Sequence, residues 1–432
     1  MHAHGDATTE ATLATWAPVG DADFPIQNLP YGAIVRDGEV APHLAVAIGD
    51  YALDLAVLAH ECAFDDALGA DARAMLGGPS LDALLARDRA MWRAVRAAIS
   101  NYLRADSPAG QRDGELAARA LVLRRDVRNV LPFTVGAYVD FYASLEHATN
   151  LGGMLRPGEE PLPPNWRWLP IGYHGRASTI SCDPIVRRPH GQIARPSGVP
   201  EFVATRKLDF ELELACITGN GRAGPITPTH ARESAFGVAL LCDWSARDMQ
   251  AWEYRPLGPF LSKSFATSLG PWIVSMDALE PFRRASRVQE PPPLPHLSVE
   301  PRGAFDIVAT ASLRSRAMCS GGERPDRVAE VNARDLYWTI GQQLAHVSSN
   351  GTSARAGDVY ASGTISGTTI ENGGSLIERT RDGTTPFHLS DGTTRAYLED
   401  GDEVTFRAHA RDPHAVAVGF GSLCARVVES SS

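Results

Sequence analysis

The chain has 432 residues, 44% hydrophobic and 21% charged, with a formal net charge of −10. That is enough for two or three domains with sizeable cores. The acidic balance, with no basic run, argues against nucleic acid or an anionic membrane surface as partner. No apolar run approaches the roughly 18 residues of a membrane span.

Residues 1–14 are rich in Ala, Thr and His, with neither a basic nor an apolar signal-peptide region, and are expected to be a disordered leader. From Ala33 to Leu55, short β-branched runs are broken at Asp37-Gly38 and Gly49-Asp50, which predicts hairpins of a small barrel-like module. Ser80 to Leu103 reads as helix, with Met91, Val95, Ala98 and Tyr102 as its core stripe. The polar, breaker-rich stretch 105–114 precedes an expected domain boundary near Leu121. The first domain is therefore set at 15–121 and the second at 122–432.

The second domain is strand-rich. Strands are predicted at 202–203, 208–217, 236–242, 272–274, 305–313, 404–409 and 416–420, and a helix between Asn332 and Val347. Strands outnumber helices and do not alternate with them, so the fold class is β-rich α+β rather than doubly wound. The six cysteines form no C-x-x-C pair and read as reduced thiols of a cytoplasmic protein.

Leu208-Asp-Phe-Glu-Leu-Glu-Leu-Ala215 alternates apolar and acidic residues, the period of a half-buried strand. Phe210, Leu212 and Leu214 are expected on one face, with Asp209, Glu211 and Glu213 on the other. Alone, this is more readily a solvated strand face than a cation site. Its company weighs for the site. Asp243 ends the apolar strand Val238–Cys242, and Lys263 stands alone in an apolar stretch, where a buried ammonium needs a partner. Ser245 and Asp248 suggest a helix start, after which Arg247, Gln250 and Tyr254 share a face suited to an oxygen-rich anion, or to nothing but solvent. If helical, Asp140, Ser144 and His147 also share a face, with about 10.8 Å between its ends. The small-residue loop Ala361–Gly367 would let a ligand approach backbone closely. Glu378 is a candidate to orient an imidazole.

These residues resemble the fumarylacetoacetase family, hydrolases that close tyrosine and phenylalanine breakdown. The resemblance runs from about Trp16 to about Val427. It is carried by Phe24-Pro-Ile-Gln-Asn-Leu-Pro-Tyr-Gly32, Asp140-Phe-Tyr, His147-Ala-Thr-Asn, Gly172-Tyr-His-Gly-Arg-Ala-Ser178, the Glu211/Glu213 strand, Asp243–Gln250, Pro256–Phe265 and Ala361–Gly367. Glu-x-Glu with a later Asp belongs to a wider superfamily. The N-terminal module with Tyr142, His147 and Arg156 narrows it.

The resemblance implies a small SH3-like β-barrel joined to a larger mixed β-sandwich roll, as a homodimer. It implies Asp140, Glu211, Glu213 and Asp243 as ligands of one divalent cation, Ca2+ or Mg2+, with Lys263 and Thr267 beside them. Tyr142, Arg156, Tyr173, Gln250, Tyr254 and Thr364 would contact the substrate, a small dicarboxylate diketone. His147 with Glu378 would activate water, and Arg247, Gln250 and Lys263 would stabilise developing charge. The chain departs from the family pattern at Thr368-Thr-Ile and Gly341. Alternatives are a related activity on 2-oxo or β-keto acids (acylpyruvase, decarboxylase or tautomerase), or a binding module with a structural metal.

Overall fold

The computed structural model describes residues 6–108, 114–220, 224–298 and 300–430. β1 (Tyr31–Arg36), β2 (His43–Ile48) and β3 (Tyr51–Asp54) form the expected antiparallel meander. Asp54 ends β3 and caps the next helix by accepting the Val57 N–H at 3.0 Å. The predicted 80–103 helix is two helices, Asp82–Leu85 and α1 (Arg89–Leu103). The break falls at Asp88, whose carboxylate takes the Met91 N–H at 2.9 Å and starts α1. β4 (Leu121–Leu123) and β5 (Val127–Val130) then complete a five-stranded sheet in the order β4-β3-β2-β1-β5. This sheet therefore continues past the expected boundary at Leu121.

The expected leader is ordered from Asp6 onward. Asp6 caps a 3-10 turn, Ala7–Thr9, and the buried Thr8 hydroxyl accepts Arg96 Nε at 2.8 Å. Residues 1–5, and 109–113 of the breaker-rich stretch, lie outside the described residues.

The larger unit begins with β6 (Tyr138–Phe141), α2 (Leu145–Leu155), β7 (Gly172–His174), β8 (Ile180–Ser181) and β9 (Ile185–Arg187). β10 (Leu212–Thr218), β11 (Ala235–Asp243), α3 (Arg247–Glu253) and β12 (Thr267–Leu269) follow. Then come β13 (Ile307–Arg314), β14 (Asp326–Asn332), α4 (Ile340–Ser348) and β15 (Val359–Ala361). α5 (Leu376–Arg379), β16 (Glu403–Asp412) and β17 (Ala415–Val428) come last. One sheet runs β7-β6-β15-β10-β11-β12-β8, with the short strand Val274–Ser275 added on β11. The other runs β14-β13-β16-β17-β9. The architecture is β-rich and mixed, as the strand count predicted.

The first sheet is buried on both faces. Leu212, Leu214, Val238 and Leu240 share a core with Ile307, Phe406 and Phe420 of the second sheet. Ala215, Ile217, Ala239 and Leu241 share the opposite core with Trp92, Val95 and Ile99 of α1. Hence the strand Leu208–Ala215 has no solvated face. It is also broken: Leu208–Asp209 pairs with Ser245–Ala246, and only from Leu212 does it join the sheet.

Three further expectations change. The Asp140–His147 segment is not one helix. Asp140 lies on β6, and α2 starts after Ser144, whose hydroxyl accepts the His147 N–H at 3.2 Å. The 332–347 helix shortens to α4, started by a reciprocal Thr339/Gln342 cap. Gly341 does not interrupt it: it is the second residue of α4, where a Cβ would sit 3.0 Å from the Pro228 carbonyl oxygen. Ser245 does not cap α3. Its hydroxyl donates to Glu211 Oε1 at 3.2 Å, and Asp248 accepts from Thr205 and the Arg206 N–H.

Candidate active site

Strand pairing brings four carboxylates together. Glu211 and Asp243 lie opposite each other, exchanging backbone bonds at 3.1 and 3.3 Å, so their side chains share a face. Glu213, two residues from Glu211, joins them. Asp140 enters from β6, in register with Ala361 of β15, the strand between β6 and β10. Beyond Ala361 the chain passes Gly363, whose N–H donates to Glu213 Oε2 at 3.1 Å. A methyl and a hydrogen on this intervening segment leave the room in which Asp140 and Glu213 meet. Gly363 also has φ 75°, and a Cβ there would lie 2.1 Å from the Phe141 carbonyl oxygen.

Oxygens of the four buried carboxylates lie within 4.8 Å of one another. Lys263 Nζ bridges Glu211 Oε1 and Asp243 Oδ2, both at 2.7 Å. Burial would raise the Glu211 carboxyl, but Lys263 and Arg247 more than reverse this and hold it well below its usual range. Burial pushes Asp140 and Glu213 well above theirs, and each is raised further by its acidic neighbours. Burial also raises Asp243, with Lys263 opposing. Burial would lower the Lys263 ammonium, but Asp243 and Glu211 hold it above its ordinary value.

Asp140 Oδ1, Glu213 Oε1 and Asp243 Oδ1 are buried and without a hydrogen-bond partner. The Tyr173 hydroxyl lies 3.0 Å from both Asp140 Oδ2 and Asp243 Oδ2, yet carries one proton to donate. A dense set of buried oxygen donors, short of positive charge, fits a hard divalent cation.

A buried imidazole–carboxylate pair lies beside the cluster. His147 Nδ1 lies 2.7 Å from Glu378 Oε2, with both side chains buried. Glu378 also accepts from Asn150 Nδ2 at 3.0 Å, Ser366 Oγ at 2.9 Å and Ser375 Oγ at 2.8 Å. Burial would raise the Glu378 carboxyl, but His147 and these donors hold it below the usual carboxylate range.

A cavity of about 310 Å3 joins the two groups, within the size range of small-molecule sites. Asp140, Glu211, Lys263 and Tyr173 line it beside His147, and Tyr142, Arg156, Gln250 and Tyr254 line it as well. The sequence reading therefore brings most of its candidates to one place. Glu213, Asp243 and Glu378 sit behind those lining residues, and Arg247, Thr364 and Thr267 do not line the cavity either. Arg247 is one layer behind: its Nε donates to Asp209 Oδ2 at 2.8 Å and its Nη1 lies 2.6 Å from Glu211 Oε1 and 3.1 Å from Gln250 Oε1. Thr364 is buried with an unpartnered hydroxyl, and Thr267 faces the cluster side as the β12 partner of Asp243. Arg156 spends one donor on the Pro161 carbonyl at 2.6 Å.

Asp209, Asn150, Ser366 and Ser375 were not among the sequence candidates. Asn150 and Ser366 stand in quoted motifs, but nothing in their spacing shows that they reach Glu378. Asp209 was legible only as one more acidic residue of the alternating strand.

Two family models cover most of the chain. Residues 27–132 match the fumarylacetoacetase N-terminal model and residues 136–428 the fumarylacetoacetate hydrolase C-terminal model. The chain belongs to the fumarylacetoacetase family. Relatives named fumarylacetoacetase include those of Rattus norvegicus, at 43% identity over 95% of this chain and 98% of theirs, and Homo sapiens, at 42% over 94% and 97%. The Arabidopsis thaliana relative is 42% identical over 97% of this chain and 99% of its own. Among solved structures, a Mycobacterium smegmatis protein described as HpcE matches at TM-score 0.51 and 19% identity, covering 92% of this chain and 99% of its own, which is a likeness of fold. None of the described helices is long and apolar enough to cross a membrane.

Proposed function

We propose that this protein hydrolyses the carbon–carbon bond of fumarylacetoacetate to fumarate and acetoacetate, as the last step of tyrosine and phenylalanine degradation. The observation that carries the reading is the buried His147–Glu378 pair facing, across one cavity, a buried four-carboxylate cluster. A structural cation staple would not need that pair. The relatives' name supplies the substrate.

Asp140, Glu211, Glu213 and Asp243 would hold one divalent cation, Ca2+ or Mg2+, with Lys263 and Thr267 beside it. When bound, the cation supplies Lewis-acid polarisation of a dicarbonyl. Glu378 holds the Nδ1–H of His147 and so fixes the tautomer with Nε2 free to take a proton from water. The hydroxide adds to a carbonyl carbon, the carbon–carbon bond breaks, and the proton returns to the departing carbon. Lys263 offers its third N–H to the charge that develops. Arg247 holds Gln250 Oε1, which leaves the Gln250 amide N–H groups for the cavity. Arg247 thereby helps stabilise developing charge through Gln250. Arg156, Tyr142, Tyr173, Tyr254 and Thr364 bind substrate, with the Arg156 guanidinium drawing a carboxylate into an acidic protein.

The N-terminal sheet is read as the SH3-like barrel, because its two edge strands, β4 and β5, are consecutive and joined by three residues. A homodimer is supported by the exposed Leu257 at the cavity rim and the exposed Phe260 and Leu261 that follow it in the chain. The six free cysteines support a cytoplasmic setting.

The test is to mix the protein with fumarylacetoacetate and, separately, with oxaloacetate. Loss of diketone absorbance, with fumarate released, is expected in the first. Turnover of oxaloacetate alone would replace this reading with a keto-acid activity of the wider superfamily.

A further inference from the structure

We infer that Asp209 is a positioning residue that joins the cation side of this site to its proton-transfer side. The inference deepens the hydrolase reading above and rests on it for its catalytic meaning. Asp209 is completely buried, and four donors satisfy its carboxylate. Oδ2 accepts Arg247 Nε at 2.8 Å and the Ile377 N–H at 3.0 Å. Oδ1 accepts the Leu376 N–H at 2.7 Å and the Phe210 N–H at 2.8 Å.

Leu376 and Ile377 open α5, and the next residue is Glu378, which holds His147. A helix of four residues does not hold itself, and its first N–H groups need acceptors. Ser375 stands where a cap would, but its hydroxyl goes to Glu378 Oε2 and not to the helix. Asp209 supplies the missing acceptor from another element. On its other side the same carboxylate anchors Arg247, whose Nη1 continues to Glu211 of the cluster and to Gln250. Backbone contacts between Glu211 and Ser375, and from Leu212 N–H to the Gly374 carbonyl, keep these elements adjacent. They orient neither the Arg247 fork nor the first turn of α5.

Asp209→Asn separates these roles from mere packing. Whichever way the amide turns, its nitrogen faces an α5 N–H, so Glu378 must move. The lost charge also leaves Arg247 balanced by Glu211 alone, drawing that carboxylate away from a cation. Calorimetric titration of calcium into the cation-free variant is expected to show a Kd weakened roughly 10–100-fold, the usual cost of losing such a supporting partner. In the cation-free protein, the NMR resonance of the His147 Nδ1 proton is expected to move. The kcat should fall by a similar factor.

A lower melting temperature with calcium Kd and His147 resonance both unchanged would overturn the inference, as would movement of only one of the two. Should Asp209→Asn fail to fold, Asp209→Glu keeps the charge but misplaces it. There the resonance should move while calcium affinity stays within about threefold, and an unmoved resonance overturns the inference. Neither readout needs turnover, so both stand apart from whether the wild type cleaves fumarylacetoacetate.

Discussion

Replacing Glu378 with Gln keeps the shape of the pair proposed to transfer the proton and removes its carboxylate charge. His147 Nδ1 and Glu378 Oε2 are 2.7 Å apart with side chains 2% and 1% exposed, so water screens the pair little. For unit charges about 4 Å apart at an effective permittivity of about 20, the attraction is about 4 kcal/mol. The amide oxygen can still accept the Nδ1–H, and a neutral hydrogen bond retains about 1 kcal/mol of this. The remaining ~3 kcal/mol is lost from the imidazolium that forms as water is deprotonated, and at about 1.36 kcal/mol per tenfold this is roughly 10²-fold in rate. The kcat should therefore fall about 10–100-fold, as for other lost orienting partners. The assay is diketone loss with saturating cation. A kcat that stays at the wild-type value would refute the assignment of Glu378 as the orienting partner.

The same variant carries a stability signature. In the wild type, the Glu378 carboxyl is held below its usual range, so its contribution is present above about pH 4.3 and is lost as pH falls through the folded value. Denaturant melts of wild type and Glu378→Gln should thus converge toward acid pH, and parallel curves would count against it. His147→Ala should lower kcat roughly 10²–10⁴-fold while calcium binding, by calorimetry, stays nearly intact. Loss of the cation in that variant would make His147 a structural support. Chelator should lower the melting temperature, since calcium at about 1,000-fold above its Kd contributes about 4 kcal/mol. Identical melting scans with and without chelator would refute a cation in the cluster. Gly363→Ala should destabilise by roughly 1–3 kcal/mol, because its positive φ and the Phe141 carbonyl oppose a Cβ there. Urea melts check the loss, and a calcium titration should weaken with it as β6 and Asp140 are pushed from Glu213.

The sequence alone determined whatever depends on neighbours along the chain. Alternation over Leu208–Ala215, the hairpin turns before Leu55, and the strand ending at Asp243 were all legible, and so were most residues of the cavity through their motifs. Capping side chains at Asp88, Ser144 and Thr339 were readable in type, yet the helix limits they set were not drawn from them.

Tertiary structure decided the rest. Helical spacing placed Asp140, Ser144 and His147 on one face, but pairing with β15 and β7 takes Asp140 into a sheet, and the chain turns before α2 begins. Asp209 and Glu211 have the same parity on a strand, which predicts one shared environment. The strand breaks between them, so Asp209 holds Arg247 Nε and the first N–H groups of α5, while Glu211 joins the cluster and meets the same Arg247 from the other side. Local periodicity assigns residues to faces of an unbroken element. It carries no information on which distant strand, 30 or 150 residues away, will pair beside that element; for a buried carboxylate, that neighbour decides whether it is met by a guanidinium, an N–H or another carboxylate.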